Sequence, residues 1–182
     1  MNTVEPIREA DKVKEIYKYL KNTNERNALM FYFGIYTGLR ISDILKFRVR
    51  DCYKKSYNIR EQKTGKQKTF DWNPYLKKEL DEYIRDKDPD EYLFKSRKGK
   101  NKAITRNRAY EIIKEACNNC EVYNVGTHTL RKTFGYFLYM QSKNNIGMIM
   151  DILNHSSETI TLRYIGISQE NNNKAMKKMR YF

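Results

Sequence analysis

The chain has 182 residues, of which 40% are hydrophobic and 32% charged, and its 36 Lys and Arg exceed its 22 Asp and Glu to give a net charge of +14. These values fit about one globular domain, while a membrane span of about 18 apolar residues and an apolar secretory signal are both lacking. Three cysteines provide no even disulfide framework, which favours a reducing cytoplasm. The positive charge makes nucleic acid the expected partner; a membrane surface would require a basic amphipathic helix, and none stands out.

The first third of the chain is predicted to be helical. A first helical pattern is interrupted at Asn22–Asn24, where an asparagine can cap a second helix. The second pattern stops at Gly38, a residue suited to a helix C-terminus, and a short helix from Ile41 to Phe47 follows. The apolar residues at helical spacing are Val13, Ile16, Tyr17, Leu20, Leu29, Phe31, Tyr32, Ile35 and Tyr36.

A small antiparallel hairpin is predicted between residues 49 and 72. Two extended runs, the first starting at Val49 and the second ending at Trp72, flank a turn that contains Gly65. Asn73 and Pro74 then resemble an N-cap followed by proline at the first helical position. The next helix takes its apolar stripe from Leu76, Leu80, Tyr83 and Ile84.

Residues 95 to 108 carry seven basic side chains and no acidic one. A solvated loop would explain this composition, but the overall charge favours a strip that faces phosphates. The side chains of this basic strip are Lys95, Arg97, Lys98, Lys100, Lys102, Arg106 and Arg108.

Four more helices are predicted in the second half of the chain, after a turn at residues 86–89. They cover about 105–118, 130–141, 146–153 and 158–165, and a polar, then basic tail occupies 169–182.

The sequence lacks the motifs of several enzyme classes. There is no GxSxG serine elbow and no GxxxxGK[ST] phosphate loop. His128 and His155 do not have metal-ligand spacing, and the Cys117–Cys120 CxxC has no second pair, so two thiols near a helix end explain it best. Taken alone, each histidine is explained by a structural role.

Three separated segments carry the functional signal when they are considered together. They read TGLRISDIL at 37–45, HTLRKTF at 128–134, and LNHSS at 153–157 followed by Thr161 and YIG at 164–166. In this order, and from about Glu9 to Ile167, they resemble the catalytic domain of the tyrosine recombinases, the phage integrase family. That family has Arg in a TGLR-type turn, HxxR on a later helix, and His in an LGH-type turn with the nucleophilic Tyr after eight residues. Residues 156–163 provide this spacing here.

The resemblance assigns the nucleophile to Tyr164, one of 15 tyrosines. Phosphoryl transfer depends mainly on positioning and on stabilising charge at the phosphate oxygens. Arg40 and Arg131 can each offer a planar fork of donors, and His128 and His155 can add further donors.

Two supporting residues complete the expected site. Asp43, three residues beyond Arg40, is expected to hold that arginine from behind. The family also has a hairpin lysine that acts as the general acid for the leaving 5′ oxygen, and EQKTGK at 61–66 matches that hairpin. Lys63 is therefore the assigned acid, with Lys66 and Lys68 as close competitors.

The resemblance implies a mostly α-helical α+β fold, that of a tyrosine recombinase or integrase catalytic domain with a small antiparallel β-sheet. We expect this domain at 1–168 and a tail at 169–182 that is exchanged between protomers. Two departures from the family pattern, Asn154 and Asn144–Asn145, stand where glycine is usual, and asparagine tolerates a left-handed backbone. The usual N-terminal helical domain is missing, as in the short recombinases that invert fimbrial promoters or in a truncated form.

The expected function is site-specific DNA strand exchange through a 3′-phosphotyrosyl intermediate, with no metal or nucleotide cofactor implied. The expected partners are double-stranded recombination sites, a homo-tetramer on DNA, and accessory DNA-bending proteins. We expect a cytoplasmic, nucleoid-associated protein of bacterial or phage origin. Two alternatives stay open: a type IB topoisomerase-like nicking and closing enzyme, and a DNA-binding regulator of mobile-element origin that no longer cuts.

Overall fold

The computed structural model describes residues 4–60, 67–167 and 176–180, which form a mainly helical structure with one two-stranded antiparallel sheet. In that part of the chain, no helix is both long and apolar enough to cross a membrane. In chain order the elements are α1 (Ala10–Thr23), α2 (Glu25–Thr37), α3 (Ile41–Ile44), a 3-10 helix (Val49–Tyr53), β1 (Ser56–Arg60), β2 (Gln67–Asp71), α4 (Pro74–Ile84), α5 (Arg106–Asn119), α6 (Thr127–Gln141), α7 (Ile146–Leu153) and α8 (Glu158–Tyr164).

Local sequence signals set several helix ends, as predicted. The Asn24 side chain accepts a hydrogen bond from the Asn27 amide at the start of α2, and Asn73 caps α4 in the same way, with Pro74 at its first position. At the end of α2, Gly38 takes a left-handed φ of 62°. Asn154 ends α7 with a φ of 52°, so the asparagine that replaces the usual glycine does adopt the left-handed backbone.

Two predicted local structures differ from those observed. Residues 49–53 form a 3-10 helix and not a strand, because the Val49 and Arg50 amides donate to the carbonyls of Glu91 and Pro89 in a distant loop. The helix predicted over Ile41–Phe47 ends at Ile44, because the Phe47 carbonyl accepts from the Leu93 amide and draws the chain into an extended conformation. Both corrections arise from long-range backbone pairing.

The described residues bury two apolar clusters, and α6 contacts both. The larger cluster contains most of the buried apolar residues from α1 to α5, together with Leu130 of α6. The smaller cluster forms around Ile149, Leu153 and Ile165, and Phe134 of α6 packs against it. Arg131 lies between Leu130 and Phe134 in the sequence, so it reaches the boundary between the clusters.

Helix α6 approaches α2 closely at Gly34. A Cβ atom added there would lie 2.5 Å from Leu130 Cδ1 and 2.9 Å from Leu130 Cβ, which is closer than real contacts allow. The absence of a side chain at position 34 therefore sets how near Leu130, and with it Arg131, comes to α2.

We expect Gly34→Ala to lower the free energy of unfolding by about 1–3 kcal/mol, because the added methyl group forces the packed helices apart. The measurement is urea unfolding followed by circular dichroism. The matched control is Gly147→Ala in α7, where the nearest atom to an added Cβ is Asn145 Oδ1 at 3.7 Å. It should be neutral or stabilising by up to about 1 kcal/mol. Equal stability of the Gly34 variant and the wild type would contradict a tight α2–α6 contact.

Candidate active site

The Arg131 guanidinium joins the separated motifs of the sequence. It is 7% exposed, and its Nη1 and Nη2 atoms donate to the carbonyls of Gly38, at 2.5 Å, and Leu153, at 2.8 Å. Gly38 belongs to the turn that precedes Arg40, and Leu153 ends the helix that precedes His155. Two of the five N–H groups of an arginine are used in this way, and the guanidinium also interacts with the Tyr164 phenol.

The Arg40 side chain is exposed beside this cluster. Arg40 is the residue before α3 and has an extended backbone, with φ −68° and ψ 143°. Among the described residues, nothing accepts a hydrogen bond from its guanidinium. All of its donors are therefore available to an anion.

Asp43 does not support Arg40 in the way that the sequence predicted. Its carboxylate accepts a hydrogen bond from Lys46 Nζ at 3.0 Å, and no hydrogen bond to Arg40 is present in the described ranges. The physical reason is that Asp43 and Lys46 are three apart on the α3 turn, whereas the extended backbone of Arg40 directs its side chain off that helical face.

The Tyr164 phenol lies among the predicted site residues of its own chain. Its Oη is 3.4 Å from His128 Nδ1. The ring of His155 meets the tyrosine ring edge to face, with centroids 4.9 Å apart. The geometry thus brings Arg40, His128, Arg131, His155 and Tyr164 into one cluster.

Burial raises the pKa of Tyr164, and the charges of Arg131 and Arg40 act against that shift. The phenol is therefore protonated near neutral pH and must lose its proton when it reacts. Burial, followed by the fields of Arg131 and Arg40, lowers the pKa of His128. A neutral His128 can accept a proton, and its Nδ1 is the ring nitrogen beside the phenol.

His155 follows the left-handed Asn154 and is held by α8. Its Nδ1 lies 3.1 Å from Thr161 Oγ1. Burial lowers the pKa of His155, and Arg131 and Arg40 lower it further. His155 is therefore neutral near pH 7 in the free protein.

A cleft of about 490 Å³ opens between the sheet and this cluster. Arg40, Arg131, Asn154 and Lys68 are among the residues that line it. Lys68, on β2, donates to the carbonyl and the carboxylate of Asp151 at 2.8 and 2.7 Å, which ties the sheet to α7. Lys63 and Lys66 lie outside the described residues, between Arg60 and Gln67, so the assignment of the general acid stays a prediction.

The basic strip occupies a loop and the start of α5. Lys95 pairs with Glu91, and Arg108 pairs with Glu111. The other five strip residues are exposed, and in the described ranges no acid lies within ion-pair distance of them: Arg97, Lys98, Lys100, Lys102 and Arg106. The Arg106 charge also lowers the pKa of His128, which places the end of the strip near the candidate site.

A sequence profile described as "Phage integrase family" matches residues 8–171. The chain belongs to the phage integrase family. It is 45% identical to the probable integrase/recombinase YoeC of Bacillus subtilis (strain 168) over 178 residues, which is 97% of either chain.

Solved structures of integrase-family proteins share this fold. The crystal structure of XerA recombinase superposes with a TM-score of 0.75 at 20% identity, over 98% of this chain and 68% of that one. XerH bound to its difH substrate before cleavage has a TM-score of 0.70 at 18% identity, over 97% of this chain and 55% of that one. The expected fold and the expected class, a tyrosine-type site-specific recombinase, are confirmed; the roles of single residues stay predictions.

Lys132 is a buried charge in this integrase that the sequence analysis did not assign. It is 8% exposed, and its Nζ lies 5.2 Å from the centroid of the Tyr164 ring and donates to the Val4 carbonyl at 2.8 Å. Residues 4–8 are held further by bonds from the Ile7 amide to Thr133 Oγ1 and from Arg8 Nη2 to the Gly166 carbonyl. The position of Lys132 directly after the HxxR motif was the signal available in the sequence.

We expect Lys132→Met to speed amide hydrogen exchange in residues 4–8 and to lower stability by about 1–3 kcal/mol, because the carbonyl of the half-buried Val4 loses its donor. Hydrogen-exchange mass spectrometry and urea unfolding measure these effects. Lys114→Met is the matched control, since Lys114 is exposed and lies over the ring of Tyr110 at 5.7 Å; it should change stability by less than about 0.5 kcal/mol. The same exchange in both variants would show that Lys132 does not anchor this segment.

Proposed function

We propose that the protein cuts and rejoins double-stranded DNA at specific sites through a 3′-phosphotyrosyl intermediate. The observation that carries this proposal is the position of the Tyr164 phenol, 3.4 Å from His128 and in ring contact with His155 beside two arginines. A phosphotyrosyl ester retains the energy of the broken phosphodiester, so the DNA can be resealed without ATP.

In the cleavage step, Tyr164 Oη attacks the scissile phosphorus and the bond from phosphorus to the 5′ oxygen breaks. The phenol proton passes to His128 Nδ1, the nearest ring nitrogen. Lys63 gives a proton to the leaving 5′ oxygen, so the strand ends as a free 5′ hydroxyl. A 5′ hydroxyl from a partner duplex then reverses these transfers and completes the exchange.

Arg131 and Arg40 stabilise the negative charge on the nonbridging phosphate oxygens. The hydrogen bonds of Arg131 to two carbonyls hold it in place before DNA arrives, so it needs little reorganisation during the reaction. Arg40, exposed and without a described hydrogen-bond partner, approaches the phosphate from the solvent side.

The basic strip binds the DNA backbone in this proposal. Its five uncompensated charges lie in one loop and the adjoining helix start, and Arg106 connects them to the catalytic cluster through its effect on His128. Contacts of this kind set affinity and register, while base contacts set sequence preference.

Assembly on DNA completes the proposal. We infer a homo-tetramer on two sites, accompanied by accessory DNA-bending proteins, in the cytoplasm of a bacterium or a phage-infected cell at its nucleoid. We propose that residues 169–182 pass to a neighbouring protomer. Exposed apolar side chains support this, since Met176 and Met179 are 68% and 58% exposed. Residues 168–175 and 181–182 lie outside the described part of the chain.

Two alternative functions can be distinguished from site-specific recombination by the products that they form. A type IB topoisomerase-like enzyme would reseal the original strand and yield relaxed plasmid without recombinants. A regulator that does not cut would bind the same DNA without forming a covalent adduct. The close contact of Tyr164 with His128 favours an enzyme that cuts.

We expect Tyr164→Phe to bind DNA and fold normally but to form no covalent adduct, because only the phenol oxygen is removed. The measurement is denaturing electrophoresis after incubation with a duplex from the native genomic flank that carries a nick near the crossover point. Tyr123→Phe is the matched control, since Tyr123 is 65% exposed, and it should form the adduct at the wild-type level. An adduct formed by the Tyr164 variant would exclude Tyr164 as the nucleophile.

We expect replacement of Arg97, Lys98, Lys100 and Lys102 by Gln to flatten the salt dependence of DNA affinity. The slope of log K against log salt should fall by about 0.9 for each phosphate that the variant no longer neutralises, while sequence preference is retained. Fluorescence anisotropy across a salt series measures the slope. The control replaces by Gln four exposed basic residues in α1, in α4 and directly after α4, namely Lys14, Lys18, Lys78 and Arg85. Equal slopes in the two variants would show that the basic strip is a solvated loop that does not bind DNA phosphates.

A further inference from the structure

Thr161 places a buried hydroxyl group against His155. The threonine is fully buried, and its Oγ1 lies 2.8 Å from the carbonyl oxygen of Ser157 and 3.1 Å from His155 Nδ1. Thr161 lies on α8, one turn before Tyr164, so the same helix carries the nucleophile and the partner of the histidine.

The protons of this pair of hydrogen bonds can be assigned. A threonine hydroxyl has one proton and a carbonyl oxygen can only accept, so the 2.8 Å contact requires Oγ1 to donate to Ser157. Oγ1 then has only lone pairs left for the imidazole. The bond at 3.1 Å therefore requires a proton on His155 Nδ1.

We propose that Thr161 is a positioning residue that keeps the proton of neutral His155 on Nδ1 and leaves Nε2, unprotonated, facing the scissile phosphate. The two ring nitrogens point in different directions, so a ring whose Nδ1 faces Thr161 of α8 presents Nε2 away from that contact. A neutral His155 in this form cannot donate a hydrogen bond to a phosphate oxygen. It must first take up a proton.

The surroundings of His155 control when this proton arrives. Arg131 from α6 and Arg40 from the turn before α3 are the charged groups that act on it, and the uncharged Thr161 and Tyr164 face it from α8. In the free protein burial, followed by the charges of the two arginines, keeps the pKa of His155 low. A bound phosphate offsets their charge and raises that pKa, so the imidazolium forms when DNA is in place.

The sign of the pH effect follows from linkage. Because the pKa of His155 is higher in the complex than in the free protein, binding takes up a proton. DNA affinity is then favoured at lower pH and decreases as the pH rises through the pKa of the complex. This proton uptake rests on the proposed function, whereas the tautomer of the free protein does not.

The tautomer is measured by NMR of the full chain with 15N-labelled imidazoles, which yields two histidine spin systems, assigned with His128→Asn. We expect His155 to be protonated on Nδ1 and unprotonated on Nε2. Thr161→Val, which keeps the shape and removes the hydroxyl, should move the proton to Nε2, and Thr161→Ser should restore it to Nδ1. Thr159→Val, at an exposed threonine of the same helix, is the matched control and should change nothing.

Two NMR results would overturn the assignment to Thr161. One is a wild-type His155 with its proton on Nε2. The other is a folded Thr161→Val protein whose His155 keeps its proton on Nδ1.

Proton uptake is measured as the pH dependence of affinity for a duplex from the native flank. As the pH rises, the affinity of the wild type should fall more steeply than that of Thr161→Val, by up to about tenfold per pH unit. The affinity of Thr161→Ser should follow that of the wild type. All three proteins retain His128, so the difference between their slopes reports on His155. Identical slopes in wild type and Thr161→Val would overturn the uptake step. Failure of the wild type to bind DNA would overturn the proposed function, and the NMR result would still decide the tautomer.

Discussion

The bonds from the buried Arg131 guanidinium to the carbonyls of Gly38 and Leu153 are the constraint on which the site depends. A buried charge is costly unless hydrogen bonds compensate it, and these two carbonyls provide that compensation. They also end two helices that belong to different apolar clusters. The same group that can bind phosphate therefore holds together the two halves of the structure that carry Arg40 and His155.

Burial and the concentration of positive charge together set the protonation of the other groups. Burial, followed by the charges of Arg131 and Arg40, lowers the pKa of both histidines, while burial raises the pKa of Tyr164 despite those charges. In the free protein the site thus contains neutral imidazoles and a neutral phenol beside two positively charged arginines. An arriving phosphate supplies the missing negative charge, which is the condition under which proton transfers from and to these groups become favourable.

Much of the fold could be predicted because local signals determined it. The caps at Asn24 and Asn73 began helices, and Gly38 ended one, where the sequence indicated, since their hydrogen bonds and backbone angles involve only neighbouring residues. The 3-10 helix at Val49–Tyr53 could not be predicted, because its amides pair with carbonyls about forty residues away. Asp43 was assigned to Arg40 by spacing alone. In the structure Arg40 has an extended backbone, and the Asp43 carboxylate pairs with Lys46.

The sequence by itself determined the family, the order of the three motifs and the identity of the candidate nucleophile, because those depend on residue type and spacing along the chain. Only the tertiary structure decided what each side chain faces. It placed Tyr164 beside His128, covered Lys132 with residues 4–8, and placed the Thr161 hydroxyl within hydrogen-bond distance of His155 Nδ1. The first two contacts join positions that are distant in the sequence, and the third joins two residues across the turn that follows the left-handed Asn154. Only the packing of α6, α7 and α8 brings such positions within hydrogen-bond distance.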